Sequence, residues 1–285
     1  MMEKILASEL ILNSDGSVYH LGLLPSDIAD LIILVGDPER VTQVSKYFDH
    51  IEIQKHKREF VTHTGTIGAT RLSVISTGIG TDNIDIVLNE LDILCHIDLG
   101  SGQIKSHKQD LKLVRIGTSG ALHADIEVDS MLITTQGLGL DNLLWYYKLE
   151  HDADVSYLAA ELSLDFVKPY LFNSSEELLN KFDAKSIRGI TATCSGFYGP
   201  QGRQLRKAIT KPDLVSKLAG IKINGNRVTN FEMETAAILG MSKLFGFKAI
   251  AVNAIVANRA TYKFSKNAQQ TIEKTISYTL GSLIA

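Results

Sequence analysis

The chain has 285 residues, 45% of them hydrophobic and 21% charged, with a net charge of −3 at pH 7. This is the composition of an ordinary globular protein long enough to bury a large core, and its charge excludes a general nucleic-acid binder working through a basic surface. Two cysteines, Cys95 and Cys194, are too few and too far apart for a disulfide framework or a zinc site, and read as reduced thiols.

Elements follow in chain order. MMEKILASELILN has apolar stretches broken by Glu9, with no long apolar core and no small-residue cleavage pattern, so no signal peptide is expected. No apolar run approaches a membrane span, and a cytoplasmic protein is expected. LIILVG (31–36) predicts a short buried strand. It runs into DPERVTQVSKYF, where Asp37 suits a helix cap and Pro38 the first helical position. Residues 58–77 read as two β segments joined by a tight turn near Gly68. Residues 81–94 carry helical apolar spacing, and 95–110 read as a polar surface excursion. Strands are expected at 111–117 and 130–139, helical stretches at 154–167 and 175–182, and a strand at 187–195. EMETAAILGMSKLFG (232–246) predicts a helix with a glycine stop, followed by a strand at 248–258 and a last helix over roughly 265–283. With no repeat, low-complexity tract or linker, the chain predicts one domain, 1–285. Its expected class is α/β, a single-domain three-layer α/β/α sandwich with a central mixed β-sheet.

Ligands of open α/β sheets bind past the carboxyl ends of strands, and several such ends here pair glycine with arginine. In VGDPERV, Gly36 permits close backbone approach and Arg40 lies in the first turn of a helix, an anion-binding arrangement unless the arginine is simply solvated. In LVRIGTSGAL, Arg115 sits inside an apolar strand followed by a Gly–Thr–Ser–Gly turn. Such a loop can wrap an oxyanion; alternatively, Arg115 pairs with an internal carboxylate. Arg58 opens a β segment, where an exposed edge charge is the plainer reading. Three converging guanidiniums would suit a phosphate dianion. The P-loop lysine pattern and the G-x-G-x-x-G fingerprint are both missing, so the expected anion is phosphate itself, not a nucleoside triphosphate or a dinucleotide. The loop SGFYGPQGR (195–203) holds an amide, Gln201, two residues from a guanidinium, Arg203.

YHLGL (19–23), VGDPERV (35–41), HKREF (56–60), STGIG (76–80), RIGTSGA (115–121), FYGPQGR (197–203), FEMET (231–235) and IVANR (255–259) occur in this order along the chain. Together they resemble the uridine phosphorylase branch of the nucleoside phosphorylase family. The resemblance implies a nucleoside phosphorylase-like fold and a pentosyltransferase that uses inorganic phosphate as co-substrate, without flavin, nicotinamide or catalytic metal. It implies a phosphate site of Gly36, Arg40, Arg58, Arg115 and Thr118. Met233 and Glu234, with Glu232 close by, would clamp the ribose, joined by His20. His20 and Arg58 would be donated across a subunit interface, making a dimer the least active unit, with a hexamer possible. Without the resemblance, EMET reads only as an acidic helix start.

The resemblance also gives the 195–203 loop a task. Gln201 would pair with O2 and N3–H of uracil, Arg203 would donate to O4, Phe197 would stack on the ring, and Ile255 and Val256 would form an apolar wall. The implied reaction is phosphorolysis of uridine to uracil and ribose 1-phosphate, with Arg40, Arg115, Arg203 and Gln201 as its catalytic set. Purine-specific relatives carry an Asp near the end of the IVANR strand; VANRAT has none, which favours a pyrimidine.

The sequence departs from the family in places. Gly199–Pro200 stand in reversed order, Gly202 replaces an acidic residue, and Ser119 replaces a threonine. The family's potassium site would fall on Glu59, Ile79 and a serine, but Asn83 stands at the third position, which leaves no metal in the main reading. The rival readings are a nucleosidase using water, a phosphorylase of other base specificity, and a non-catalytic ligand-binding or storage relative.

Overall fold

The computed structural model describes residues 4–6, 8–106 and 109–284. They group into two compact units, Met1–Val114 with Phe245–Phe247, and Arg115–Leu244 with Lys248–Ala285. Both units are mixed α/β, as the sequence predicts.

The first unit contains β1 (Leu31–Val35), α1 (Pro38–Ser45), β2 (His50–Lys57), β3 (Phe60–Ile67), β4 (Thr70–Ser76) and α2 (Thr81–His96). Its strands run in the order β2-β3-β4-β1, antiparallel except for the parallel β4/β1 pair. The predicted strand–cap–helix step is present: Ile32–Val35 are fully buried, and the Asp37 carboxylate accepts from the Glu39 N–H at 2.9 Å. Gly68 sits in the turn pairing Ile67 with Thr70, at a φ of 57° that glycine adopts without steric cost. The sequence reading missed β2, whose side chains alternate between exposed and half-buried and whose six polar or charged residues mask the period. The 95–110 excursion begins as the end of α2 and continues as a hairpin, β5 (Ile97–Asp98) with β6 (Gln103–Ile104); its residues 107 and 108 lie outside the described residues.

The chain enters the second unit inside β7 (Lys112–Ala121) and continues through β8 (Met131–Leu140), α3 (Leu158–Glu161), β9 (Tyr170–Asn173), α4 (Glu176–Leu179) and β10 (Ile187–Cys194). Then come α5 (Leu214–Gly220), β11 (Lys222–Ile223), β12 (Asn226–Glu232), α6 (Thr235–Phe245), β13 (Lys248–Asn258), β14 (Lys263–Phe264) and α7 (Ala268–Ile284). Strands pair in the order β11-β12-β10-β8-β13; β12/β10 and β10/β8 are parallel and β8/β13 is antiparallel. Leu138, Ile190, Ala192 and Phe231 from these strands pack with Leu158 and Leu162 and with Leu214 and Leu218 of α5 in one buried cluster.

Three expectations need correcting. The GTSG segment is not a turn: residues 117–121 continue β7, because Gly120 and Ala121 pair with Phe231 and Asn230 of β12. The EMET segment does not start a helix: Glu232 ends β12 opposite Thr193, Met233 and Glu234 form a bend, and α6 begins at Thr235. The helical stretches at 154–167 and 175–182 shrink to the single turns α3 and α4, the first followed by Ser163 at a left-handed φ of 54°. The glycine stop after α6 is present, Gly246 at φ 80°.

β8 meets the ring of Tyr170 at a glycine. A Cβ on Gly139 would lie 2.0 Å from Tyr170 Cζ, and the ring is pinned by its hydroxyl, which donates to Asp141 Oδ2 at 2.6 Å. Overpacking of a fixed core ring costs about 1–3 kcal/mol. Gly139→Ala is therefore expected to lose about 1–3 kcal/mol in urea unfolding; an unchanged midpoint would show that the ring has room to move.

Candidate active site

The second unit supplies most of the candidate residues. The 195–203 loop makes one 3-10 turn at Gly199–Gln201, and Gly202 reverses the chain at φ 66°. That reversal brings Arg203 back onto the turn. Its Nη1 donates to the Gln201 side-chain oxygen at 2.6 Å and to the Phe197 carbonyl at 2.6 Å. Its guanidinium carbon stands 3.8 Å from the centre of the Phe197 ring, a cation–π contact, and 5.8 Å from that of Phe231. Gln201 is buried, while Phe197 is half exposed, 50%. The amide and guanidinium noted in the sequence are thus bonded to each other, and this fixes the amide: Oε1 faces Arg203 and Nε2 points the other way. A second guanidinium, Arg259, donates to the Gln201 carbonyl at 3.1 Å and lies 5.5 Å from the Phe231 ring centre. Burial, with Arg259 as like-charged neighbour, lowers Arg203 to about 10.

Arg115 lies in β7 and is 5% exposed. Its Nη2 bonds Glu234 and stands 3.2 Å from Glu232 Oε2, so the internal-carboxylate alternative read from sequence is what this unit contains. Burial would lower the Arg115 pKa, but the two carboxylates outweigh it and raise it. Glu232 moves the other way from an ordinary carboxylate: burial raises it, Arg115 pulls it down, Glu234 pushes it up, and the net shift is upward. Glu232 also closes the start of α6. Its carboxylate accepts from the Glu234 and Thr235 N–H groups at 2.9 Å and from the Thr193 hydroxyl at 2.7 Å. Met233, between the two acids, is half-buried, as is Thr118. Ile255 packs in a separate cluster with Ala121, Ile126 and Leu132, while Val256, next along β13, is half-buried.

In the first unit, Gly36 and the half-buried Arg40 stand at the start of α1, and a Cβ on Gly36 would meet the Gly78 carbonyl at 3.4 Å. Arg58 is exposed in the β2/β3 turn, at φ 55°. His20 is held by Glu90: Nδ1 and Oε1 are 2.7 Å apart, and the same carboxylate accepts the His20 and Leu21 N–H groups. At the suggested potassium position, Asn83 turns its Nδ2 to the Ile79 carbonyl at 3.4 Å, offering a donor to an atom a cation would need as a ligand, and Glu59 is exposed. Among the described residues there is no group of three His, Cys, Asp or Glu able to hold a metal, and no helix long and apolar enough to cross a membrane.

Sequence reasoning assigned no role to Arg259, Phe231, Thr193 or Glu90. Glu90 had a legible signal, a carboxylate on the apolar face of a helix whose neighbours Val87, Leu88, Leu91 and Leu94 are buried. Thr193 had none, since a threonine in a strand is unremarkable.

A mixed sheet carrying a buried Arg–Glu–Glu cluster at a helix start, beside a loop that bonds an amide to a guanidinium, defines a family, and the chain belongs to the phosphorylase superfamily, whose model matches residues 30–284. Within it, the chain falls in the uridine phosphorylase branch. It is 31% identical over 267 residues to the uridine phosphorylase of Thermococcus kodakarensis, covering 93% of this chain and 86% of the relative. It is 29% identical over 277 residues to that of Klebsiella aerogenes, covering 95% and 97%. A solved Trypanosoma brucei nucleoside phosphorylase, described as showing uridine phosphorylase activity, superposes with a TM-score of 0.86 at 30% identity over 96% of this chain and 99% of that one.

Glu232→Gln would place a donor against the N–H groups that its carboxylate now receives. It is expected to destabilise the fold by about 1–3 kcal/mol in chemical denaturation. Because Glu232 is raised above its ordinary value of 4.5, the native protein binds its proton more tightly than the unfolded chain does. This group's contribution to stability is therefore greatest at low pH and declines as pH rises above 4.5, a slope that the glutamine variant should lack.

Proposed function

We propose that the protein catalyses the reversible phosphorolysis of uridine to uracil and ribose 1-phosphate. The observation that carries this reading is the Gln201–Arg203 pair, held together at 2.6 Å beside the half-exposed ring of Phe197. Gln201 Oε1 keeps a second lone pair for the uracil N3–H, its Nε2 can donate to O2, and the remaining guanidinium N–H groups of Arg203 can donate to O4. Phe197 stacks on the ring. The Thermococcus kodakarensis and Klebsiella aerogenes relatives, which match over most of the chain, are uridine phosphorylases, which supports the same substrate.

In this mechanism phosphate attacks C1′ as the glycosidic bond loosens. The sugar becomes cationic, and uracil leaves as an anion with its charge on O2 and O4. Donors already aimed at those atoms bind the departing anion better than the neutral ring. Gly36, Arg40, Arg115 and Thr118 are proposed phosphate ligands. Glu232, Met233 and Glu234 are proposed to hold the ribose, Glu234 accepting from its hydroxyls. Val256 and Ile255 are proposed as the apolar boundary of the base.

No cofactor beyond inorganic phosphate is proposed. The enzyme is proposed to work in the cytoplasm as a homo-oligomer of at least two chains. Arg58, exposed at a turn, and His20, oriented by Glu90, are proposed to serve a neighbouring subunit's site.

Uridine mixed with phosphate should lose absorbance as uracil forms, and omitting phosphate should abolish the change; release without phosphate would mean a nucleosidase. Arg203→Ala should lower kcat by about 10²–10³, the cost of one donor to a developing oxyanion. Cytidine, which carries an amino donor where Arg203 expects O4, should be turned over more slowly by several orders of magnitude. Comparable rates on cytidine would remove the assigned role of the loop.

A further inference from the structure

Behind the 195–203 loop lies a cavity of about 290 Å³. Ser195, Gly199 and Pro200 form one wall, while Phe197, Gln201 and Arg203 do not line it, nor does any residue proposed to hold ribose or phosphate. Its floor is the edge of the main core of the second unit. Leu140 at the end of β8, Leu164 and Val167 after α3, and Leu214 at the start of α5 are buried and belong to one packed cluster, yet all four border the gap. Atoms lining an apolar void forfeit the dispersion contacts that a filled one would give them, so a ligand of the right shape recovers them. An apolar cavity of about 150 Å³ is enough to bind benzene, and small-molecule sites begin at about 300 Å³.

The mouth differs from the floor. Phe166 is 66% exposed there, Thr210 is exposed and Lys211 is half-buried. Among the described residues that line the cavity, Lys211 alone carries charge, and among the described residues no carboxylate forms an ion pair with it. Asp213 feels the Lys211 charge but is held by Lys217 at 3.1 Å. Asp165, beside Phe166 in the chain, is exposed and does not line the cavity. The connection from 203 to 212 that carries Lys211 also holds Arg206 and Lys207 and no acid. A lysine can lay its apolar stem along such a wall and keep its ammonium at the opening.

We propose that this cavity is a second ligand site, separate from the nucleoside site, for a small carboxylic acid with a one-ring apolar body. The ring lies on Leu140, Leu164, Val167 and Leu214, and the carboxylate meets Lys211 at the mouth. Phosphate or a sugar does not suit the floor, which would strip its water without replacing the lost hydrogen bonds. A uracil ring fails for the same reason, since its polar edge would be left unpaired. An apolar amine would meet the like charge of Lys211. Binding here is independent of the phosphorolysis reading, because it uses none of the residues assigned to base, ribose or phosphate.

Phenylacetate is the probe, titrated into the intact wild-type protein by calorimetry. Saturable binding is expected with a Kd of about 1 mM or below, within reach of a ligand of this size. Phenethylamine, with the same ring and the opposite charge, should bind at least about tenfold more weakly, and Lys211→Gln should weaken phenylacetate by about tenfold, the loss of one charge-assisted hydrogen bond. Leu164→Phe, which fills the floor, should abolish binding; Lys211→Gln, a change at the mouth, decides the matter if that core variant does not fold. A crystal structure with phenylacetate should place the ring on Leu164 and the carboxylate within hydrogen-bond distance of Lys211 Nζ. No saturable binding, equal affinity for acid and amine, or undiminished affinity in Lys211→Gln overturns the proposal. So does a crystal in which the acid stacks on Phe197 instead, or in which a partner subunit's side chain fills the cavity.

Discussion

A guanidinium inside a protein must be matched by negative charge, and the second unit is organised around how Arg115 is matched. Removing an arginine from water costs several kcal/mol unless partners replace the solvent. Glu232 and Glu234 provide them, but two carboxylates on one cation leave an excess of negative charge that is also buried. The start of α6 absorbs that excess. Free N–H groups at a helix N-terminus carry about half a positive charge, and Glu232 receives two of them along with the Thr193 hydroxyl. Thr193 also accepts the Ala236 N–H at 2.8 Å, so one hydroxyl on β10 joins the acid to the helix it caps. Strand pairing, helix start and ion pair are consequently one electrostatic unit, and no part of it can be altered alone.

In its proposed role as reader of the base, the loop at 195–203 meets a different problem. A polar reader of a flat heterocycle must be aimed before the ligand arrives, or ordering it costs binding free energy. Here the aiming is covalent geometry plus three contacts. Gly202 supplies the reversal, Arg203 grips Gln201 and the Phe197 carbonyl, and its plane lies over the Phe197 ring. The family's usual Pro–Gly order is reversed and its acidic residue is absent, yet amide and guanidinium still meet, because their two-residue spacing and the glycine after the 3-10 turn are retained.

The sequence made some of this readable and concealed the rest for identifiable reasons. The Asp37–Pro38 cap was legible because those residues do locally what they do in the fold. The glycines of GTSG suggested a turn, yet pairing with β12 keeps the segment extended, and tertiary pairing overrides local preference. EMET was placed at a helix start by its acids; the start lies three residues later, and Glu232 serves it from the end of a strand. Resemblance singled out Arg115, Gln201 and Arg203, but only coordinates show which partners they hold. The hydrogen bonds that join Asn253 to Thr134, Thr134 to Thr191, Thr191 to Asn230 and Asn230 to Ser119 had no signature at all, since they link strands distant in sequence through residues common in any sheet.

The two thiols are both buried, and burial pushes Cys95 up to about 12 and Cys194 higher still. Thiolate, not thiol, is the reactive species, so at its cysteines the folded chain offers almost nothing for peroxide to oxidise or for an alkylating reagent to capture. Purification in air should leave the two thiols of the native protein unmodified, and any label that does attach at cysteine becomes a clock for how often the interior opens.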